Sequence, residues 1–319
     1  MTFKILVISL AVLVGLAITL SLITDAVASR REAAVQAQFP PLGVLLDVDG
    51  AKLHALTRGT GPDLVLIHGA SGNLRDLLPL MDLLAPHYRV TAFDRPGLGW
   101  SDPIPNGSSL TAQALHLAKG ATQLGIKDPI VLGQSYGGSV ALAWALDAPL
   151  KPRALVLVSS PSLPWPGKLD ALYRLTDTWA GQHVVIPLVA AYLPDSTING
   201  IVTNIFKPDA APADYLSYIG AGLSIRRQAL RTNSDQVNGL YAEITRQSQR
   251  YAELTLPIEL VHGTADTIVP ITIHALPLSQ RLPNAHLTQV DGAGHMPHHA
   301  HPQLVLDAIS RAAARAALP

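Results

Sequence analysis

A serine framed by glycines is the first feature of this sequence that suits covalent chemistry. Ser135 lies in the segment GQSYGG, between the apolar run Ile130–Leu132 and the helix-forming run Val140–Leu146. A nucleophile on a sharp strand-to-helix turn needs small neighbours two residues away on either side, and Gly133 and Gly137 supply them. We therefore predict that Ser135 is a nucleophile exposed at the start of a helix.

An acid and a base follow the serine in the chain order that a hydrolytic triad on such a sheet requires. A serine hydroxyl is a weak nucleophile at neutral pH and needs a general base, which in turn needs an acid to fix its tautomer. Asp266 follows the apolar run Ile258–Val261, and His295 follows the later run His286–Val290. We predict that Asp266 and His295 complete a triad with Ser135.

Two other positions for the acid are less suitable. Asp291 lies too near His295 in sequence to face it comfortably, and its predicted role is to cap a turn. The end of the strand predicted at Ala154–Val158 holds Ser159 and Ser160 in place of an acid. Both observations favour Asp266 as the acid.

Small residues after an earlier buried run predict an oxyanion hole. The segment HGASG follows Leu64–Ile67, and its lack of bulk lets the backbone approach a carbonyl substrate. We predict that the N–H groups of Ala70 and Tyr136 stabilise the developing oxyanion. The residues predicted to contact the substrate beside these donors are Gly69, Ser71 and Trp100, the last at the mouth of the pocket.

Other charged and ring side chains near these motifs have structural interpretations. His68, which precedes the small-residue loop, is predicted to brace that loop by hydrogen bonding. Asp94 and Arg95 begin the segment DRPGLGWSD and are predicted to fix a tight Pro-Gly turn behind the site.

Three more histidines, His298, His299 and His301, crowd close to His295. A metal site would need a further ligand, and no carboxylate at helical spacing supplies one. We therefore predict no metal and expect these histidines to begin a solvated helix.

Apolar runs and amphipathic stretches alternate along most of the chain. After a hairpin turn at Asp49-Gly50, the pattern predicts a mostly parallel sheet of eight strands with helices on both faces, the α/β class. The predicted strands are Val44–Val48, Lys52–Thr57, Leu64–Ile67, Val90–Phe93, Ile130–Leu132, Ala154–Val158, Ile258–Val261 and His286–Val290. The predicted helices are Leu74–Leu84, Leu110–Leu124, Val140–Leu146, Ile271–Arg281 and Pro302–Ala317.

Residues 161–253 interrupt this alternation. They contain no clear strand, and prolines break their helical patterns repeatedly. A stretch of this length is too long for a loop inside a compact domain. We predict a helical lid here, inserted into a core formed by residues 43–160 and 254–319.

The N-terminal segment is apolar enough to enter a membrane. No residue from Ile5 to Thr24 is charged, and such a helix rises about 30 Å, enough to cross the hydrocarbon core. Residues 1–28 are predicted to be an uncleaved anchor, or else a signal peptide cut after Ala26-Val27-Ala28, with a buried soluble helix as the remaining alternative. The flanking charges give no clear orientation in the membrane. Both the anchor and the signal peptide favour a catalytic domain outside the cytoplasm. Residues 29–42, polar and then proline-rich, are predicted to be a linker.

The composition excludes several classes of function. Charged residues make up 14% of the 319 and the formal net charge is zero, so there is no electrostatic case for a nucleic-acid or acidic partner. No cysteine is present, which excludes disulfides, thiolate catalysis and cysteine-ligated zinc.

Taken in order, the segments HGASG, DRPGLGWSD, GQSYGG, HGTAD and GAGH resemble the lid-bearing α/β-hydrolase superfamily over roughly residues 44–317. The resemblance implies the α/β-hydrolase fold, the triad and oxyanion donors named above, and no metal or organic cofactor. It is closest to branches that hold esterases, carbon–carbon bond hydrolases and cofactor-free haloperoxidase-like enzymes. Related dehalogenases and epoxide hydrolases carry Asp as nucleophile, against which Ser135 argues. The apolar N-terminal segment departs from most members, which are soluble.

The predicted function is hydrolysis of a carboxylic ester, or similar acyl bond, of a hydrophobic small molecule through an acyl-enzyme. Apolar residues in the lid suggest an apolar acyl or alcohol group, although core packing explains the same residues. The same triad also suits carbon–carbon bond cleavage or perhydrolysis, and the sequence hardly separates these reactions. A low-turnover receptor on the same fold is a third hypothesis, which the complete triad disfavours.

Overall fold

One eight-stranded sheet organises the protein in the computed structural model, which describes residues 2–167 and 169–317. Its strands are β1 (Val44–Val48), β2 (Ala51–Arg58), β3 (Asp63–Ile67), β4 (Arg89–Phe93), β5 (Ile130–Gln134), β6 (Ala154–Val158), β7 (Ile258–Gly263) and β8 (Ala285–Val290). Their order is β1-β2-β4-β3-β5-β6-β7-β8, with β2 antiparallel to β1 and β4 and the other neighbours parallel. The predicted mostly parallel sheet is confirmed.

Helices flank this sheet and extend beyond it. In chain order they are α1 (Thr2–Gln38), α2 (Leu78–Leu84), α3 (Leu110–Gln123), α4 (Tyr136–Asp147), α5 (Ala171–Thr176), α6 (Ile186–Tyr192), α7 (Asp195–Phe206), α8 (Tyr215–Ile219), α9 (Arg227–Gln247), α10 (Ala275–Arg281), α11 (Pro297–Ala300) and α12 (Pro302–Ala317). A π-helix at Gly181–Val185 leads into α6, and shorter 3-10 helices occur at Leu74–Leu77, Ala221–Ile225 and Ser248–Glu253.

The two faces of the sheet bury separate apolar layers. Central strands such as β5 and β6 are buried on both sides, which is why their sequences are continuous apolar runs. One layer, packed by α3 and α4, includes Leu117 and Trp144. The other, packed by α2 and α12, includes Leu66 and Ile309. This arrangement leaves the carboxyl ends of the parallel strands free to carry a site.

Residues 159–257, between β6 and β7, form a helical insert that lies against the carboxyl edge of the sheet. Its described residues contain helices α5 to α9 and no strand. Asn233 of α9 accepts the backbone N–H of Ser71, after β3, and Asp209 accepts that of Gly294, after β8. The insert therefore contacts loops on both sides of the place where β5 ends.

The N-terminal helix α1 is longer than predicted. By length and composition it is apolar enough to cross a membrane, and its residues 3–23 are exposed. The linker predicted over 29–42 is wrong for residues 29–38, which continue the helix. Their Ala, Gln, Glu and Arg side chains are good helix formers, and the prolines at 40 and 41 then stop the helix.

The second half of α1 docks on the insert. Ala28 is fully buried and packs with Ala190 and Ala191 of α6, where small side chains let the two helices approach closely. Arg227, at the start of α9, bonds to the carboxylate of Glu32 at 2.8 Å. It also bonds to the carboxylate of Asp25, which lies seven residues earlier in α1. These contacts fix α1 in direction relative to the insert.

Three buried histidines are neutral parts of this fold. His68 accepts a backbone N–H at Nε2, and His274 accepts two at Nδ1. Burial lowers the pKa of His68, of His274 and of His298 to about 4 in each case. Protonating any of them therefore opposes folding.

We expect the free energy of unfolding to fall as the pH is lowered from about 7 toward 4. The unfolded chain protonates these histidines near pH 6.5 and the folded chain near pH 4, so the unfolded state binds more protons between those values. Each histidine contributes a slope of about 1.4 kcal/mol per pH unit in that window, and its stabilising effect is complete only above the unfolded pKa. Urea unfolding at several pH values measures the slope, and a flat profile would contradict the prediction.

Candidate active site

Ser135 lies on a strained turn between β5 and α4. Its φ of +49° and ψ of −125° fall outside the regions that L-residues favour. A Cβ on Gly137 would lie 2.2 Å from Ile67 O, and a Cβ on Gly133 would lie 2.3 Å from Gly137 O. Only glycine fits at both positions, and the turn they permit holds Ser135 at the carboxyl edge of the sheet.

The structure brings together the three residues that the sequence predicted as a triad. His295 Nε2 lies 3.0 Å from Ser135 Oγ, and His295 Nδ1 lies 2.8 Å from Asp266 Oδ2. Asp266 follows β7 and His295 follows β8, which are neighbouring parallel strands. The distances form a continuous chain of hydrogen bonds from carboxylate to hydroxyl.

Asp266 is held as a carboxylate in this site. Its Oδ1 accepts the backbone N–H groups of Ile268 and Val269, each at 2.9 Å. Burial opposes ionisation, but hydrogen bonds from His262 and His295 outweigh it, and the pKa of Asp266 lies well below its ordinary value. The carboxylate favours a proton on His295 Nδ1 and so leaves Nε2 to accept a proton from the serine.

His262 is a second histidine at this carboxylate that sequence reasoning did not assign. It is buried, its Nε2 lies 2.6 Å from Val269 O, and the same nitrogen lies 3.4 Å from Asp266 Oδ2. The ring therefore fastens the turn that carries the acid. Its position four residues before Asp266, at the end of β7, was the available signal.

The loop after β3 lies directly beside Ser135. A Cβ on Gly69 would lie 2.4 Å from Gln134 Oε1 and 3.1 Å from Ser135 Cβ, so the loop needs glycine for this approach. Within residues 2–167 and 169–317, the N–H groups of Ala70 and Tyr136 donate to no protein acceptor. Tyr136 opens α4, where the first N–H groups of a helix stay unpaired. Two such donors suit a developing oxyanion.

A buried arginine braces this loop. Arg95 donates to the carbonyl oxygens of His68 and Gly69 at 3.1 and 3.0 Å, and to Gln113 and Gln236 at 3.0 and 2.6 Å. Burial lowers the pKa of Arg95 to about 10, which leaves it a cation at neutral pH. His68 in turn accepts the Arg95 N–H at 2.9 Å, which confirms the bracing role predicted for this histidine.

Two of the residues predicted to contact the substrate also make contacts within the protein. The Ser71 N–H donates to Asn233 Oδ1 at 2.6 Å, which ties the loop to α9. Trp100 donates its indole N–H to Phe39 O at 2.9 Å, and the Arg226 guanidinium lies 5.7 Å from its ring. The Trp100 bond holds the residue that follows α1 against the core, and the contacts of Ser71 and Trp100 with a substrate stay predictions.

The expectation that His298 and His299 begin a solvated helix is wrong. Both side chains are buried, and their Nε2 atoms lie 3.3 and 2.9 Å from the carboxylate of Asp76, which also accepts the Tyr215 hydroxyl at 2.6 Å. Burial opposes ionisation of Asp76, but the two histidines outweigh it and hold its pKa well below the ordinary value. Only His301 keeps a partly exposed ring.

The Asp76, His298 and His299 cluster also has the donor set of a metal site. One ligand atom from each residue lies within 4.8 Å of the other two. Sequence reasoning looked for a carboxylate at helical spacing and missed Asp76, which lies 222 residues before His298 in the chain. Hydrogen bonds to the carboxylate account for the same geometry without an ion.

The sequence is similar to an esterase, to a hydrolase of an oxo-dienedioate and, over a shorter stretch, to an acetyltransferase component. A pimeloyl-[acyl-carrier protein] methyl ester esterase from Yersinia pseudotuberculosis is 30% identical over 272 residues, covering 79% of this chain and 93% of that protein. A 2-hydroxy-6-oxononadienedioate/2-hydroxy-6-oxononatrienedioate hydrolase from Cupriavidus pinatubonensis is 27% identical over 255 residues, covering 77% and 81%. An acetyltransferase component of the acetoin cleaving system of Cupriavidus necator is 38% identical over 133 residues, but these span only 34% of that protein and 41% of this chain.

The fold is shared with solved structures and with a defined family. A membrane phospholipase A superposes with a TM-score of 0.65 at 19% identity, covering 97% of this chain and 99% of that chain, a likeness that shows the fold. The pattern of the alpha/beta hydrolase family matches residues 64–308, from β3 into α12, and this range includes the three residues joined by the hydrogen-bond chain. This chain belongs to the alpha/beta hydrolase family.

Proposed function

We propose that this protein is a serine hydrolase that cleaves a carboxylic ester, or a similar acyl bond, of a hydrophobic molecule. The observation that carries the proposal is the hydrogen-bond chain from Asp266 through His295 to Ser135, at 2.8 and 3.0 Å. The two N–H donors beside Ser135 complete the groups that acyl transfer needs. The esterase from Yersinia pseudotuberculosis, similar over most of both chains, supports the reaction class.

The proposed reaction has two steps. His295 Nε2 takes the proton of Ser135 Oγ as this oxygen attacks the carbonyl, and the N–H groups of Ala70 and Tyr136 hold the oxyanion. Asp266 stabilises the imidazolium, which then protonates the departing alcohol. Water next gives a proton to His295 Nε2 and attacks the acyl-enzyme, and His295 returns this proton to Ser135 Oγ as the acid is released.

Carbon–carbon bond hydrolysis by the same residues is a second candidate. The relative from Cupriavidus pinatubonensis, named as a hydrolase of an oxo-dienedioate, favours it. The two reactions differ in the leaving group, which is an alkoxide in one and a stabilised carbanion in the other. Comparing turnover of esters with turnover of β-diketones distinguishes them.

We further propose that α1 is an uncleaved membrane anchor and that the insert is a lid over the site. Residues 5–23 carry no charge and are exposed on all sides of the helix, which suits lipid rather than water. Ala28, where signal cleavage would occur, is instead buried against α6. Cleavage there would also separate Asp25 from its partner Arg227.

Ser135→Ala is expected to lower ester hydrolysis by at least about 10⁴-fold and to abolish covalent labelling by a fluorophosphonate, because both need Oγ. Turnover of p-nitrophenyl butyrate and gel-based labelling measure the two effects. Ser310→Ala, a change at an exposed serine on α12, is the matched control and should retain both. Labelling of the Ser135→Ala protein at the wild-type level would refute the assignment of the nucleophile.

Asp266→Asn is expected to lower kcat by roughly 10³–10⁴-fold, because the amide favours the wrong tautomer of His295. Asp291→Asn changes the nearby carboxylate, which accepts a bond from Thr264 Oγ1, and should retain most of the activity. Steady-state kinetics on the same ester compare the two variants. Equal losses would show that the acid has been assigned wrongly.

Deleting residues 3–23 is expected to move the protein from the membrane to the soluble fraction, because the segment that suits lipid is gone. Hydrolysis of a water-soluble ester should be unchanged, since these side chains are exposed. Sedimentation of membranes and N-terminal sequencing check the result. A full-length chain that is soluble, or a mature chain that begins at residue 29, would rule out the anchor.

A further inference from the structure

The Trp179 ring stacks on that of His183, and an exposed apolar stripe formed by Trp179, Val184, Leu188 and Tyr192 runs along the π-helix Gly181–Val185 and α6. These side chains are between 41% and 73% exposed. They recur at steps of five, four and four residues, and the longer step falls in the π-helix Gly181–Val185, whose wider turn takes one more residue. The four side chains therefore share one face.

The hairpin that contains this stripe, residues 178–206, is almost free of charge. Its only Asp, Glu, Lys or Arg is Asp195, whose carboxylate lies 2.6 Å from the Arg31 guanidinium of α1. Exposed helices of soluble proteins instead carry charged side chains on the face away from the core. The exposed face of this hairpin is thus suited to an apolar phase.

The hairpin is too short to cross a membrane. Gly181–Tyr192 and Asp195–Phe206 are together apolar enough for a membrane segment but meet at a bend of 100°. Each arm of 12 residues rises about 18 Å, well short of the ~30 Å hydrocarbon core. Apolar stretches of about this length occur as buried core helices, re-entrant segments or helices in the membrane interface, and the exposure of the stripe favours the interface.

The stripe ends where the apolar run of α1 ends. Thr24, the last uncharged residue of that run, has its hydroxyl 3.4 Å from the hydroxyl of Tyr192. The buried side of the same helix packs on α1 at Ala28. With α1 in a bilayer, the stripe lies at the level of the headgroups, where Trp and Tyr are enriched.

The far end of the hairpin rests on the loop that carries His295. The Gly294 N–H donates to Asp209 Oδ2 at 2.8 Å, and a Cβ on Gly294 would lie 2.2 Å from Lys207 O. The backbone that follows α7 is therefore in contact with the loop of the general base.

We infer that residues 178–206 dock their apolar stripe into the membrane surface and that the active site takes its substrate from the bilayer, as a long-chain acyl ester of a lipid. The substrate part rests on the proposed ester hydrolase function, whereas the docking part does not. Docking of this kind lets an acyl chain pass from the bilayer to Ser135 without exposure to water, which is favourable in proportion to its apolar area.

Quenching of tryptophan fluorescence tests the docking. The full-length protein is reconstituted in phosphatidylcholine vesicles with brominated acyl chains, which quench only indoles at the membrane. Trp179→Phe should remove most of the quenching, and Trp165→Phe, at a ring packed against Tyr241 in the insert, should leave it unchanged. Quenching that persists in full after Trp179→Phe overturns the inference.

Charge placed on the stripe tests the route of the substrate. Val184→Asp and Leu188→Asp, at exposed positions, should lower turnover of phosphatidylcholine or diacylglycerol in vesicles by roughly tenfold or more. Hydrolysis of p-nitrophenyl acetate should stay at the wild-type rate and so report an intact fold. Leu83→Asp, at a similarly exposed leucine on α2, is the matched control and should change neither rate.

The outcomes separate this inference from the proposed function. The inference that the substrate is a bilayer lipid is overturned if both stripe variants turn over lipid at the wild-type rate. It is also overturned if the wild type hydrolyses soluble esters but neither phosphatidylcholine nor diacylglycerol. A wild type inactive on every ester overturns the proposed function, while the quenching result still decides the docking. Because the chain has no cysteine, Val184→Cys also gives a clean cross-linking site, and dimers without quenching would overturn membrane docking in favour of a second copy.

Discussion

The close approach of three backbone segments at Ser135 is the constraint on which the rest of the site depends. β3 and β5 are parallel neighbours with Ile67 opposite Gly133, so the loops that follow them leave the sheet side by side. The missing side chains at Gly69 and Gly137 let those loops meet without displacing the strands. The positive φ of Ser135 is tolerated because the surrounding backbone leaves the residue no alternative. The sheet thus supplies the stiffness that the reactive turn requires.

One buried cation joins the parts that this approach brings together. Arg95 bonds to the loop at Gly69 and to Gln236 in the insert, and its guanidinium lies 4.1 Å from the centre of the Tyr136 ring. No carboxylate pairs with it within the ranges that the structure describes, so its charge is not cancelled locally. A fixed positive charge near two backbone donors favours the site where negative charge develops. Neutral oxygen acceptors keep Arg95 hydrogen-bonded without removing that field.

The strands and the proposed triad were predictable because each depends on a local signal: a continuous apolar run, a glycine at a forced turn, or the fixed order of loops along the sheet. The hairpin at Asp49 and Gly50, both with positive φ, is a similar case. The features that could not be predicted depend on contacts with residues that are distant in the sequence. His298 is buried by a contact with Asp76, and the second half of α1 docks on the insert through contacts such as that of Arg31 with Asp195. No periodicity within either segment encodes such a neighbour.

The unbroken course of α1 has a consequence for encounter rates. A disordered tether would let the attached domain wander over distances that grow with the square root of its length, with every heading sampled. A continuous helix clamped by Ala28 and Glu32 removes that freedom. In the proposed anchored state, the distance and tilt of Ser135 relative to the lipid surface are fixed quantities. Encounters with the inferred lipid substrate then depend on lateral diffusion and on the number of lipid molecules per unit area, and dilution of the aqueous phase leaves their rate unaltered.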